Sequence, residues 1–158
     1  MRLAPPSHRA VRVVLAALLV GAACSNPTES SRPAYEARPG ILPADGPGAI
    51  GSVVVADSVS VGSPLAVTVT TQGGGCTRRG RTEVRAASAL VAEVLPYDSV
   101  PSPDSRGYVC TADIRGLEHA AVVQFAVRGR ATVRVRGRSG GPAGADREVV
   151  VERGVTVY

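Results

Sequence analysis

The sequence predicts an all-β domain, an antiparallel sandwich or barrel, and three observations point there. Short valine-rich runs alternate apolar and polar residues with a period of two. Turn residues recur at roughly ten-residue spacing, and no stretch carries the 3.6-residue period of a helix. Composition agrees. Of 158 residues 44% are hydrophobic but only 3% aromatic, with no Trp, so the core must be built from Val, Ala and Leu. Val suits a pleated, half-buried surface, and 18 Gly with 12 Pro fit many short strands joined by turns.

The first element in chain order is a leader, residues 1–23. Residues 1–12 carry Arg2, His8, Arg9 and Arg12 and no acid, Val13 to Val20 are unbroken apolar, and Gly21, Ala22 and Ala23 follow. A basic front, an apolar middle and a small-residue exit make the layout of a secretory signal. The apolar stretch falls short of the roughly 20 residues that a membrane-spanning helix needs, so it reads as a removable address. Leu18-Leu19-Val20-Gly21-Ala22-Ala23-Cys24 resembles the lipobox of bacterial lipoproteins, with Gly21 where that family usually has Leu. The resemblance implies cleavage before Cys24, a diacylglyceryl group on its sulfur and an acylated new amino group, enough chains for stable anchoring. Ser25, where an Asp would imply inner-membrane retention, implies the outer membrane, and hence a cell-envelope location facing periplasm or exterior. Ordinary signal-peptidase cleavage after Ala23 is the alternative, since Gly21 and Ala23 are both small.

Residues 24–48 come next. Pro27, Pro33, Pro39, Pro43 and Pro47 recur among Ser, Gly and charges without helical or strand periodicity, which predicts a disordered or polyproline-like tether. Such a leash holds a domain on the order of 30 to 70 Å from the bilayer. Within it Ile41-Leu42 is an apolar pair able to dock on the domain edge.

Residues 49–158 form the domain, with eight expected strands. Ser52 to Val61 is the first, bent near Ala56-Asp57. A Val61-Gly62-Ser63-Pro64 turn leads to Leu65–Thr70, where Leu65, Val67 and Val69 share a face, and Gly73-Gly74-Gly75 breaks the chain. Thr82–Ala86 and Leu90–Leu95 follow, the second ended by Pro96, with Tyr97 to Arg106 as a loop. Tyr108–Ile114 is expected as a strand around Cys110. Ala121, Val123, Phe125 and Val127 then share one face, and Ala131, Val133 and Val135 point inward from the next strand. Gly140-Gly141-Pro142 makes the last loop and Glu148–Val157 the final strand. The pairing of an early VGSPLAVTV strand with a late GRATVRVRG strand resembles immunoglobulin-like domains of bacterial surface proteins, over about residues 50–158. That resemblance implies an immunoglobulin-like antiparallel β-sandwich, of a variety that lacks the antibody Trp.

With Cys24 assigned to lipid, Cys76 and Cys110 remain, and export favours a disulfide between them. Closing a loop of about 35 residues contributes roughly 3 to 4 kcal/mol in the chain-entropy model. No Cys-x-x-Cys spacing suggests redox work.

The net charge of +5 is mostly a property of the precursor: loss of residues 1–23 leaves 15 arginines against 13 acids. All 18 basic residues are Arg. On a strand Arg134, Arg136 and Arg138 share the outward face as a basic ridge about 14 Å long, at about 3.4 Å per residue. Such a ridge suits lipid phosphates, an anionic glycan or an acidic protein; the plain alternative is a solvated face balanced by cross-strand acids such as Glu148 and Glu152. Arg78, Arg79 and Arg81 cluster beside Cys76. Stacking aromatics are missing beside these arginines, which argues against nucleic acid.

Catalytic and cofactor signatures are thin. There is no G-x-S-x-G, and Gly73-Gly74-Gly75 lacks the Lys and Ser/Thr of a phosphate loop. Glu83, Glu93, Asp98, Asp113 and Glu118 are scattered like surface charges rather than paired for glycoside hydrolysis. His119, the one histidine left after signal removal, is expected at a turn, too isolated for zinc, and Asp98 with Asp104 make no calcium loop. The sequence therefore predicts a non-enzymatic envelope lipoprotein without cofactor, a binding or scaffolding module. Two other classes stand beside it: a partner-specific assembly factor or inhibitor acting through loops such as Tyr97 to Gly107, and an enzyme, should a compact pocket hold His119 with a carboxylate and a hydroxyl in hydrogen-bond reach.

Overall fold

The computed structural model describes residues 34–43, 53–104, 109–140 and 147–158. The leader 1–23, Cys24 and the tether up to residue 33 lie outside them. Of the described residues 69% are in strands and none is helical.

Ten strands follow one another: β1 (Tyr35–Pro39), β2 (Ile41–Leu42), β3 (Val53–Val55), β4 (Ser58–Val59), β5 (Leu65–Gly73), β6 (Arg78–Ser88), β7 (Val91–Pro101), β8 (Arg115–Val123), β9 (Gly129–Ser139) and β10 (Glu148–Val157). Two groups form. In one, β5 lies between β3 and β8, antiparallel to both. In the other, β6 and β7 make a hairpin, β7 runs parallel to β9, β9 is antiparallel to β10, and β10 pairs in parallel with β4. β2 joins them, touching β5 at Gln72 and β9 at Arg138 and Ser139. The result is one sheet curled into a half-barrel. The expected all-β class is seen; the parallel β7–β9, β2–β9 and β4–β10 pairs, and β2 linking the two strand groups, differ from the two stacked antiparallel sheets of an immunoglobulin-like sandwich.

The core follows from alternation. Leu65, Val67 and Val69 on β5, Ala121 and Val123 on β8, and Ala131, Val133 and Val135 on β9 all point inward, each 8% exposed or less. Phe125, just beyond β8, is the one aromatic among these buried side chains. The expected bend separates β3 from β4 at Ala56 and Asp57. Gly62 takes a positive φ of 73° in the expected turn, closed by Ser63 N–H donating to Ser60 O at 3.0 Å; an L side chain there would be strained.

Three sequence expectations need correction. Residues 35–42, expected in the tether, are strands β1 and β2. Docking of Ile41-Leu42 is seen, with Leu42 2% exposed, and it extends back to Tyr35 along β7. Gly137 makes room for it, since a Cβ there would come within 2.7 Å of Gly40 O and Leu42 Cγ. Second, β7 does not stop at Pro96 but continues to Pro101, which removes most of the expected loop. Pro96 lies opposite Thr82 of β6, and on the other edge it falls where β7 changes partner, from β9 (Val91 to Val94) to β1 (Tyr97 to Pro101); there its carbonyl accepts from Gly40 N–H at 2.9 Å. Third, 109–114 is not a strand; Val109 and Ile114 are 90% and 82% exposed, and β8 begins at Arg115. Tyr108 lies outside the described residues. With Val109 and Ile114 turned to solvent, the β-propensity of this segment has no apolar packing to support it.

Candidate functional site

β6 and β8 run alongside each other at the open side of the half-barrel, and among the described residues no backbone ladder joins them. Side chains close the seam instead. Arg115 Nη2 donates to Thr77 O at 2.6 Å and Gly75 O at 3.3 Å, Arg79 Nη1 donates to Glu118 O at 3.5 Å, and Cys76 is bonded to Cys110 with Cα atoms 5.3 Å apart. That separation is normal for a disulfide.

At the middle of the seam sits His119. It is not at a turn, as the sequence suggested, but inside β8 and pointing inward, its side chain fully buried. Its Nε2 lies 2.9 Å from Asp98 Oδ1 and 3.3 Å from Thr71 Oγ1, and its Nδ1 lies 3.2 Å from Thr82 Oγ1. Asp98 only accepts, so Nε2 carries the proton it receives. Thr71 Oγ1 lies 3.4 Å from Leu117 O, to which its hydroxyl donates. The four polar side chains come from β5, β6, β7 and β8, and they satisfy one another in a place where an unpaired polar group is costly.

The order carboxylate, imidazole, hydroxyl (Asp98, His119, Thr82) has the connectivity of an activated-nucleophile relay. The imidazole has no exposed surface, and Asp98 is only 2% exposed. In this arrangement the quartet locks four strands together. Asp98, Thr71 and Thr82 were missed as a group in the sequence. The signal was parity: the inward positions of β5 extend from Val69 to Thr71, and those of β8 from Ala121 back to His119.

The three ridge arginines share the outward face of β9, and their acids are the ones expected. Arg134 Nε donates to Glu152 at 2.7 Å, directly across the β9–β10 register, and Arg136 Nε donates to Glu148 at 2.7 Å, with Glu93 3.6 Å from Arg136 Nη1. The hydrogen bond and charge of Glu148 hold the Arg136 guanidinium even more firmly protonated than usual. Arg138 Nε donates to Pro39 O at 2.9 Å. The second basic cluster is dispersed, and the fold corrects the expectation that it lacks aromatic neighbours: Arg78 stacks over the Tyr35 ring at 4.5 Å, and Arg81 over Tyr97 at 4.6 Å. Hydrogen bonds from Arg85 and then Arg81 hold the Glu83 carboxyl below its ordinary value. Among the described residues no three His, Cys, Asp or Glu side chains gather as a metal site. Cys24 lies outside the described residues.

Compared with known proteins, the chain matches no family model, no curated protein and no solved structure.

Proposed function

We propose that this chain is an exported envelope lipoprotein, anchored through Cys24, whose β-domain is a non-catalytic binding or scaffolding module. The observation that carries this reading is the Cys76–Cys110 disulfide, a bond that persists in oxidising compartments. It agrees with the leader that ends in Gly21-Ala22-Ala23-Cys24. With the two domain cysteines paired, Cys24 is the odd cysteine, at the position where a lipobox uses one. Support for a non-catalytic role comes from His119, which is sealed from solvent by the groups that would have to act with it. The neighbour order β3–β5–β8 and the β9–β10 pair are compatible with strands A, B, E and F, G of an immunoglobulin-like sandwich, which supports that finer reading of the half-barrel. We read it as a bacterial variant of that sandwich in which β7 has moved beside β9. Binding then falls to the outer face and its arginines, with a membrane lipid, an anionic glycan or an envelope protein as partner.

Cell fractionation of wild type and Cys24→Ala in a diderm bacterium tests the anchor. Wild type pellets with membranes and is released by detergent but not by high salt; Cys24→Ala appears in the soluble periplasmic fraction. A Cys24→Ala protein that still pellets, or a wild type that does not, overturns the reading.

A further inference from the structure

Five guanidinium groups from four stretches of chain line one groove on the outer side of the sheet. Arg38 comes from β1, Arg85 from β6, Arg136 and Arg138 from β9, and Arg147 from the residue ahead of β10, over a floor that includes Leu95. The groove has a volume of about 570 Å³, within the range of small-molecule sites. Glu148 is the one carboxylate in its lining. Other acids flank it and fix the arginines from the side: Glu36 pairs with Arg38, and Glu83 accepts from Arg85 at 2.7 Å. Among the described residues the Arg147 guanidinium has no partner. Glu148, Glu36, Glu83 and Glu93 thus stand against the five arginines, which leaves a surplus of one cation in the groove, beside an apolar patch.

We propose that this groove binds a phosphate group carried on an apolar body, the headgroup end of an anionic phospholipid. A phosphate offers several oxygens to planar guanidinium forks at once, and arginines already held by neighbouring acids lose little freedom on binding it. Leu95 gives the carrier an apolar contact that a free anion does not use. The lipid source rests on the envelope reading above, which places the domain beside such a surface; the chemistry of the groove does not depend on it.

The test uses the full chain carrying Cys24→Ala, so that no anchor contributes, titrated by calorimetry at low salt with dihexanoyl phosphatidic acid below its micelle concentration and with inorganic phosphate. Phosphatidate binds measurably and more tightly than inorganic phosphate. Arg136→Gln with Arg147→Gln weakens it about tenfold or more, as the loss of charge-assisted hydrogen bonds implies. Arg128→Gln with Arg130→Gln, the same charge change outside the groove, leaves it unchanged. Should the first pair fail to fold, Arg147→Gln alone, which breaks no contact among the described residues, makes the same comparison. Equal weakening by both pairs, inorganic phosphate binding as tightly as phosphatidate, or no binding overturns the proposal. An unlipidated Cys24 in cells would remove the anchor and leave this result standing.

Discussion

Replacing His119 by Leu costs the domain about 3 to 5 kcal/mol, because Asp98 is then left in the interior without its donor. Asp98 is 2% exposed and His119 is 2.9 Å away, so neither solvent nor another described side chain takes over the contact. A loss of that size is a large part of the roughly 5 to 15 kcal/mol that holds an ordinary domain together. Asp98→Leu leaves the buried Nε2–H of His119 without its nearest acceptor, a loss of about 1 to 3 kcal/mol, while Thr71 and Thr82 keep their contacts with His119. The double variant Asp98→Leu with His119→Leu is the informative one. An apolar pair of similar volume removes the buried carboxyl group together with its donor, so its cost falls well short of the two single costs added, by about 1 to 3 kcal/mol. Asp98→Asn, which keeps shape and one acceptor, folds and serves as the mild member of the series. Urea unfolding of the four proteins reads all of this. Additive costs, or a His119→Leu protein as stable as wild type, would show that the quartet does not lock the seam.

Loss of the Cys76–Cys110 bond is the second large effect. The two cysteines are separated by 34 residues in sequence, so the cross-link removes roughly 3 to 4 kcal/mol of freedom from the unfolded chain. The bond also joins the turn after β5 to the segment 109–114, which otherwise lies exposed beside the sheet. Cys76→Ala with Cys110→Ala is expected to lower the urea midpoint by about 1 to 4 M, given a slope of about 1 to 3 kcal/mol per molar for a small domain. Wild type treated with reductant should move to the same midpoint. A midpoint that stays in place under both treatments would contradict a stapling role.

Both effects fall on the seam between β6 and β8, and the sequence shows that seam only in fragments. Alternation located the inward positions of β5, β8 and β9 because Val and Ala repeat there every second residue, a local signal. The sequence also pointed to Glu148 and Glu152 as cross-strand acids of the ridge; Glu152 lies directly opposite Arg134, and Glu148 reaches Arg136 diagonally. Polar residues at inward positions were harder. Thr71 and His119 continue the buried rows of their strands, yet a reading that follows apolar character stops at Val69 and Ala121. Asp98 was hidden by Pro96, which reads as a strand end and is instead a change of partner. β1 carries the sequence Tyr-Glu-Ala-Arg-Pro, with no apolar alternation; the exposed edge of β7 imposes its strand form. The parallel β7–β9 pair depends on contacts far apart in sequence and leaves no local trace, so the curl of the sheet was not legible. The arginine groove is of the same kind: Arg38, Arg85 and Arg147 are remote from the β9 ridge until the fold gathers them.

Export and oxidation together underlie the functional reading, and the intact mass of the protein purified from the membranes of its own source reports on both. The expected mass is that of a chain beginning at Cys24, bearing a diacylglyceryl group and an amide-linked acyl chain, and lighter by two hydrogens than the form with free Cys76 and Cys110 thiols. A chain that keeps residues 1–23, an unmodified Cys24, or a mass with both domain thiols reduced would contradict it.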